Sequence, residues 1–184
     1  MTGKLILGIL LYRSMSVYEI KKGLEQTVGF FSTFSFGSIH PAIKKLKAEG
    51  LVTARNRKEN GRAKTVYTIT DAGRDVFLQW LDTSIHPGKI QDDGLLRVFF
   101  LAELPPRRRY AILDEYIKRL RDQYRILQTV EEQALAHQAE IPPEQSCAFK
   151  CRVASVDYGK QFYAFTIEWY SRFIEQLEEE GDQL

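Results

Sequence analysis

Two long apolar stripes in the second half of the chain constrain its fold more than any other feature. Tyr110, Leu113, Ile117, Leu120, Tyr124 and Leu127 recur at alternating steps of three and four, and so do Phe149, Val153, Val156, Lys160, Tyr163, Ile167, Tyr170, Ile174 and Leu177, where Lys160 is the one interruption. This spacing keeps one side of an α-helix apolar over many turns, whereas a strand shows every second residue to the same face. Pro105-Pro106 gives the first helix a fixed-φ start, and Pro142-Pro143 separates it from the second. Phe162, Phe165, Trp169 and Phe173 add a second apolar row to the later helix. That face is wider than an intrachain hairpin needs, so we expect both a hairpin and a homodimer interface, with Tyr163, Ile167, Tyr170, Ile174 and Leu177 as dimerisation residues. Just ahead of the stripes, Leu95 to Leu104 (LLRVFFLAEL) reads as a short helix so apolar that it needs cover on most sides.

The first half follows different rules. Lys4 to Tyr12 (KLILGILLY) is apolar nearly all round, as in a short buried helix, and Ser16-Val17-Tyr18-Glu19 has the S-x-x-E form of a capping box that opens a second helix. Val17, Ile20 and Leu24 share one face of that helix, and Phe30, Phe31, Phe34 and Phe36 are expected in the loop after it. The next segment, GSIHPAIKKLKAEGLV, reads as a helix capped near Ser38 with Pro41 in its first turn, where a missing N–H does no harm. Ile39, Ile43 and Leu46 share its inner face, His40, Lys44 and Lys47 an outer one, and Gly50 is the stop. Val52 to Arg57 and Thr65 to Thr70, joined through Asn60-Gly61, form a hairpin with Arg57, Lys58, Arg62 and Lys64 near its tip. Asp71 to Leu81 is a fourth helix with Thr70 as its cap and Phe77, Trp80 and Leu81 at core spacing.

Three helices followed by a basic hairpin is the order of a winged helix-turn-helix, in which the third helix enters the major groove and the wing meets backbone phosphates. Charge distribution agrees. Through Thr83 there are 13 Lys and Arg against 7 Asp and Glu, giving +6, while Ser84 to Leu184 carries 13 against 17, giving −4. Each phosphate neutralised by such cations releases counterions, an affinity term independent of base sequence. Ser84-Ile85-His86-Pro87-Gly88 has linker chemistry, which divides the chain into a winged domain over residues 1–83, a linker over 84–94 and a helical domain over 95–184. The expected fold is mainly α with a small β-hairpin wing.

With Tyr18-Glu19-Ile20, GSIHPAIKKLKAEGLV, and Lys64 followed by Tyr67-Thr68-Ile69-Thr70-Asp71-Ala72-Gly73-Arg74, the chain resembles the PadR family of transcriptional regulators over its whole length. Its long helical tail resembles the larger family branch. His40 departs from the family, which usually has tyrosine there, and Val17 replaces a glycine. The resemblance implies a homodimer interlocked through its C-terminal helices, a palindromic operator in double-stranded DNA, a repressor's action, and in some relatives a phenolic or other small aromatic effector. The DNA-binding candidates are Tyr18, Ser38, His40, Lys44 and Lys47 from the helices and Arg57, Lys58, Arg62 and Lys64 from the wing. The alternative is a winged-helix adapter that binds a protein partner.

Enzymatic signals do not appear. His40, His86 and His137 lie in unrelated contexts, and neither a phosphate-binding glycine motif nor metal-ligand spacing is present, so we expect no catalysis, cofactor or metal. Cys147 and Cys151, four apart on a helix with poor disulfide geometry, read as reduced thiols packed in the helical domain, with a redox or metal sensor as the alternative. Trp169, Phe162, Phe99 and Phe100 are candidate pocket residues for an aromatic effector, with core packing as the alternative. The apolar run Leu5 to Tyr12 is far short of the roughly 20 residues that span a bilayer, so we expect a cytoplasmic protein with no membrane contact.

Overall fold

The computed structural model describes residues 1–59, 62–88 and 92–179, except for the side chains of residues 58, 59 and 62. Two compact units divide it, Met1–Gly88 and Lys89–Leu184. The first contains α1 (Thr2–Leu10), α2 (Val17–Val28), α3 (Phe36–Ala48), the strands β1 (Val52–Glu59) and β2 (Arg62–Ile69), and α4 (Asp71–Leu81). The second contains α5 (Asp93–Val98), α6 (Pro106–Ala136) and α7 (Ser146–Glu179), with short 3-10 turns at Leu101–Glu103, Gln138–Glu140 and Pro143–Gln145.

Helix α1 is the hub of the first unit. Its Ile6, Leu7, Ile9 and Leu10 are buried with Ile20 and Leu24 of α2, Ile39, Ile43 and Leu46 of α3, and Val52 of β1. Each aliphatic side chain buried in this way contributes about 1.5–3 kcal/mol. Helix α2 opens as its sequence requires: the Ser16 hydroxyl accepts from Glu19 N–H while the Glu19 carboxylate accepts from Ser16 N–H.

Helix α3 begins a turn earlier than expected, and the reason is local. Ser35, not Ser38, is the N-cap; its hydroxyl accepts from Ser38 N–H, and Ser38 Oγ in turn accepts from Ser35 N–H. A serine three residues ahead of another satisfies orphan donors reciprocally, which draws Phe36 out of the loop and into the helix. Pro41 therefore falls in the second turn, where it forgoes one helical hydrogen bond. At the other end Gly50 has φ +71°, its N–H reaches the Lys47 carbonyl, and Leu51 N–H reaches Leu46, a Schellman stop.

The hairpin is longer than its two expected strands. Eight pairs run antiparallel from Val52 opposite Ile69 to Glu59 opposite Arg62; the expected Asn60-Gly61 turn lies outside the described residues. Met15 pairs with Tyr67 through two backbone hydrogen bonds, 3.0 and 2.8 Å, which attach the segment before α2 to the free edge of β2. Thr70 ends the ladder and caps α4, accepting from Gly73 N–H and donating to the Gly50 carbonyl. This junction is close enough that a Cβ on Gly73 would lie 2.1 Å from the Leu51 carbonyl oxygen. In α4, Val76 and Phe77 pack on the core, whereas Leu81, expected inside, is 57% exposed because α4 presents only one face to the unit.

In the second unit α6 and α7 form an antiparallel hairpin. Leu113, Ile117 and Leu120 of α6 bury against Tyr170, with Tyr163, Ile167, Ile174 and Leu177 packed around them. The sequence-assigned dimerisation residues are thus engaged within the chain, while Tyr158, Phe162 and Phe165 of α7 stay exposed. Lys160, the interruption in the stripe, forms an ion pair and hydrogen bond with Glu131 of α6. That partner holds the Lys160 ammonium above its ordinary pKa of 10.5, through the hydrogen bond first.

Two expectations fail here. Leu95 to Leu104 is not one covered helix: α5 stops at Val98, Leu101 alone is buried in the turn that follows, and Leu96, Phe99 and Phe100 are exposed. The backbone leaves the α conformation at Phe100, and beyond it the Arg109 guanidinium donates to the Ala102 and Leu104 carbonyls of the turn. Cys147 and Cys151 are free thiols but exposed, because the first turns of α7 carry them on its outer side.

Candidate nucleic-acid interface

On α3 the inner and outer faces separate cleanly. Ile39, Ile43 and Leu46 are buried; His40, Lys44 and Lys47 are exposed. Among the described residues Lys44 and Lys47 form no ion pair, while Lys45, on another side, pairs with Glu49 at 3.8 Å. Ser38 is half-buried and its hydroxyl donates to the Ser35 carbonyl, so the structure spends it on the helix start. Phe36 joins the exposed set: it lies in ring contact with His40, centroids 6.0 Å apart, and the Lys21 ammonium sits 5.4 Å from its ring centroid. The sequence reading missed Phe36 by placing it in the loop; the S-x-x-S spacing of Ser35 and Ser38 was the available signal. Tyr18, in the first turn of α2, is 66% exposed.

The wing is set against α2 by one carboxylate. Glu19, besides closing its cap, pairs with Lys64 Nζ at 3.2 Å and with Arg13 at 3.4 Å. Hydrogen bonds from the Ser16 backbone and hydroxyl, then from Lys64 and Arg13, outweigh desolvation and hold its pKa down at about 2. Lys64 is therefore partly neutralised. Arg57 is exposed and stands directly opposite Lys64 in the ladder, an arrangement of like charges that weakens a hairpin unless an anion joins it. Lys58 and Arg62 stand opposite Ala63 and Glu59, and their side chains lie outside the described residues.

The exposed set is cationic and aromatic. Among the described residues no group of three or more His, Cys, Asp or Glu is placed to hold a metal ion, and no helix is long and apolar enough to cross a membrane.

The aromatic residues named for a pocket lie in ring contacts. Trp169 stacks on Phe173 and meets Tyr170 edge-on, Phe162 meets Tyr163, and Phe99 meets Phe100. Nearby, Asp92 caps α5 through Leu95 N–H and accepts from the Tyr116 hydroxyl at 3.2 Å. Burial, then Asp92, pushes the Tyr116 hydroxyl up to about 12; burial raises Tyr170 as well, and its buried hydroxyl has no partner among the described residues.

Three helices, a paired wing and an outward basic third helix define a winged helix-turn-helix protein of mainly α fold. Residues 6–79 form a domain of the PadR-like family of transcriptional regulators, and residues 90–178 match the model of the virulence activator alpha C-terminal region. The negative transcriptional regulator PadR of Bacillus subtilis is 30% identical over 99 residues, 53% of this chain and 54% of that protein, so the chain spans about half the length of this relative. Crystal structures of that protein with operator DNA and with p-coumaric acid superpose at TM-scores of 0.77 and 0.73, at 21% and 20% identity, covering 95% and 97% of this chain and 98% and 99% of theirs. The Vibrio cholerae virulence activator AphA superposes at 0.77 with 20% identity, over 98% of this chain and all of that one. At these identities the superpositions speak to the fold alone.

Proposed function

We propose that the chain is a cytoplasmic, homodimeric transcriptional regulator that binds double-stranded DNA through the outer face of α3 and the wing. The observation that carries this reading is the row of exposed His40, Lys44 and Lys47 on α3, in a unit whose charge through Thr83 is +6. Lys44, Lys47 and Arg57, with Lys58 and Arg62, serve as phosphate contacts; His40 faces base edges, and Tyr18 supports the backbone contact from α2. The dimer interface falls to the apolar residues that the intrachain hairpin leaves exposed, Tyr158, Phe162 and Phe165, because a monomer would leave them in water. Two-fold symmetry then makes the operator palindromic. Repression is the reading favoured by the named action of the Bacillus relative. A small aromatic effector is supported by the p-coumaric acid complex of that relative and by the buried Tyr170 hydroxyl, which has no partner among the described residues.

Mobility-shift titration of the full-length protein against the DNA upstream of its own coding sequence, repeated over a range of salt, tests the reading. Lys44→Ala with Arg57→Ala should weaken binding to all duplexes and reduce the salt slope by about 1.8, the value for two lost phosphate contacts. An unchanged slope and affinity would show that the interface lies elsewhere. If the unsubstituted protein shifts no duplex even at low salt, the adapter reading, with a protein partner, replaces this one.

A further inference from the structure

We propose that Phe36, with His40 against it, is a specificity-determining pair that reads the 5-methyl edge of a thymine in the major groove. The inference rests on α3 acting as the recognition helix and adds a contact that no charge pattern supplies. Phe36 is the first residue of α3 and is 43% exposed. At 100° per residue, Phe36, Lys47, His40 and Lys44 fall within an arc of about 80°, the same side of the helix. The buried side belongs to Ile39, Ile43 and Leu46. On the same wheel the buried Ile43 lies about 20° from Phe36 on its other flank, so Phe36 is a large, partly exposed apolar group at the border between the core face and the cationic face, where phosphate binding has no use for it.

Its placement is held from two directions. The His40 ring lies one turn along the helix at 6.0 Å, and Lys21 of α2 places its ammonium 5.4 Å from the ring centroid while pairing with Glu25. A ring restrained in this way loses little freedom on binding, so its contact area converts more fully into affinity. Residues at the N-terminal end of a recognition helix come nearest the base edges. In the major groove thymine alone presents a methyl group, the one apolar feature available to a phenyl ring.

The test uses duplexes selected by the full-length protein from a randomised library, with each thymine of the selected sequence replaced singly by deoxyuridine. At one thymine in each half-site, loss of the methyl should weaken binding about four-fold, the effect of failing to bury one methyl-sized group. Phe36→Ser should bind the thymine and deoxyuridine duplexes equally, with the salt slope of the unsubstituted protein, and Phe36→Leu should retain part of the difference. Circular-dichroism spectra and melting midpoints equal to those of the unsubstituted protein establish that both variants are folded. The proposal is overturned if no thymine in the selected sequence is sensitive to the exchange, or if Phe36→Ser keeps the full penalty. Failure of the library to enrich any sequence overturns this proposal, while the shift of duplexes at low salt decides separately whether the protein binds DNA.

Discussion

Glu19 joins three pieces of structure at one residue. Its carboxylate closes the cap of α2 and binds Arg13 and Lys64, so the same group starts a helix and holds the wing. Glu19→Gln keeps the shape and removes the charge; we expect a loss of about 1 kcal/mol, read as a lower urea midpoint at neutral pH. The pH dependence has a definite sign. The carboxyl is held below its ordinary 4.5, at about 2, so its contribution is complete above pH 4.5 and disappears as pH falls through 2. Urea midpoints measured from pH 6 down to pH 2 should therefore converge for the two proteins. The cap itself was readable as Ser16-x-x-Glu19, because its partners are three residues apart; Arg13 and Lys64 were not, because only folding brings them to the carboxylate. Gly50 is the other residue with a local demand: at φ +71°, Gly50→Ala should cost about 1 kcal/mol in thermal unfolding, with little change in DNA affinity at a temperature where both proteins are folded.

Among the elements, the α6–α7 hairpin shows what a heptad pattern specifies. Spacing identified the apolar side of each helix, and Leu113, Ile117, Leu120 and Tyr170 are indeed buried together. It could not say which partner covers that side, since an intrachain helix and one from a second copy satisfy the same stripe. Nor could it explain Lys160, whose partner Glu131 belongs to the other helix. Both side chains are largely buried, at 18% and 15% exposure, so Lys160→Leu strands a carboxylate and should destabilise by about 2 kcal/mol. Lys160→Leu with Glu131→Leu should recover most of that loss, giving a large coupling energy in a double-mutant cycle of unfolding. Because Lys160 is held above 10.5, the pair's contribution is complete below pH 10.5 and declines as pH rises beyond it.

For the whole molecule, the largest consequence lies in the apolar surface left over. Tyr158, Phe162 and Phe165 are 69%, 46% and 61% exposed on α7. Light scattering behind size exclusion should find twice the 21.3 kDa chain mass for the unsubstituted protein. Phe162→Glu with Phe165→Glu should give the single-chain mass at the same helical content, with palindrome binding weakened far more than binding to a single half-site. A dimer that survives the double substitution would place the interface on another face.

The sequence by itself determined the helices, the hairpin and the charge of the winged unit, since periodicity, caps and turn residues act within a few positions along the chain. It also determined the core faces of α3, α6 and α7, because apolar residues repeating at helical spacing mark the side that must be covered. Tertiary structure decided the rest. It exposed Leu81, Phe99, Phe100 and the two cysteines, whereas the start of α3 at Ser35, which carries Phe36 to the outer face, follows from a local serine cap already present in the sequence. It also committed the α7 seam to α6. These outcomes depend on which surfaces meet across large sequence separations, and a one-dimensional pattern carries the demand for a partner without naming the partner that meets it.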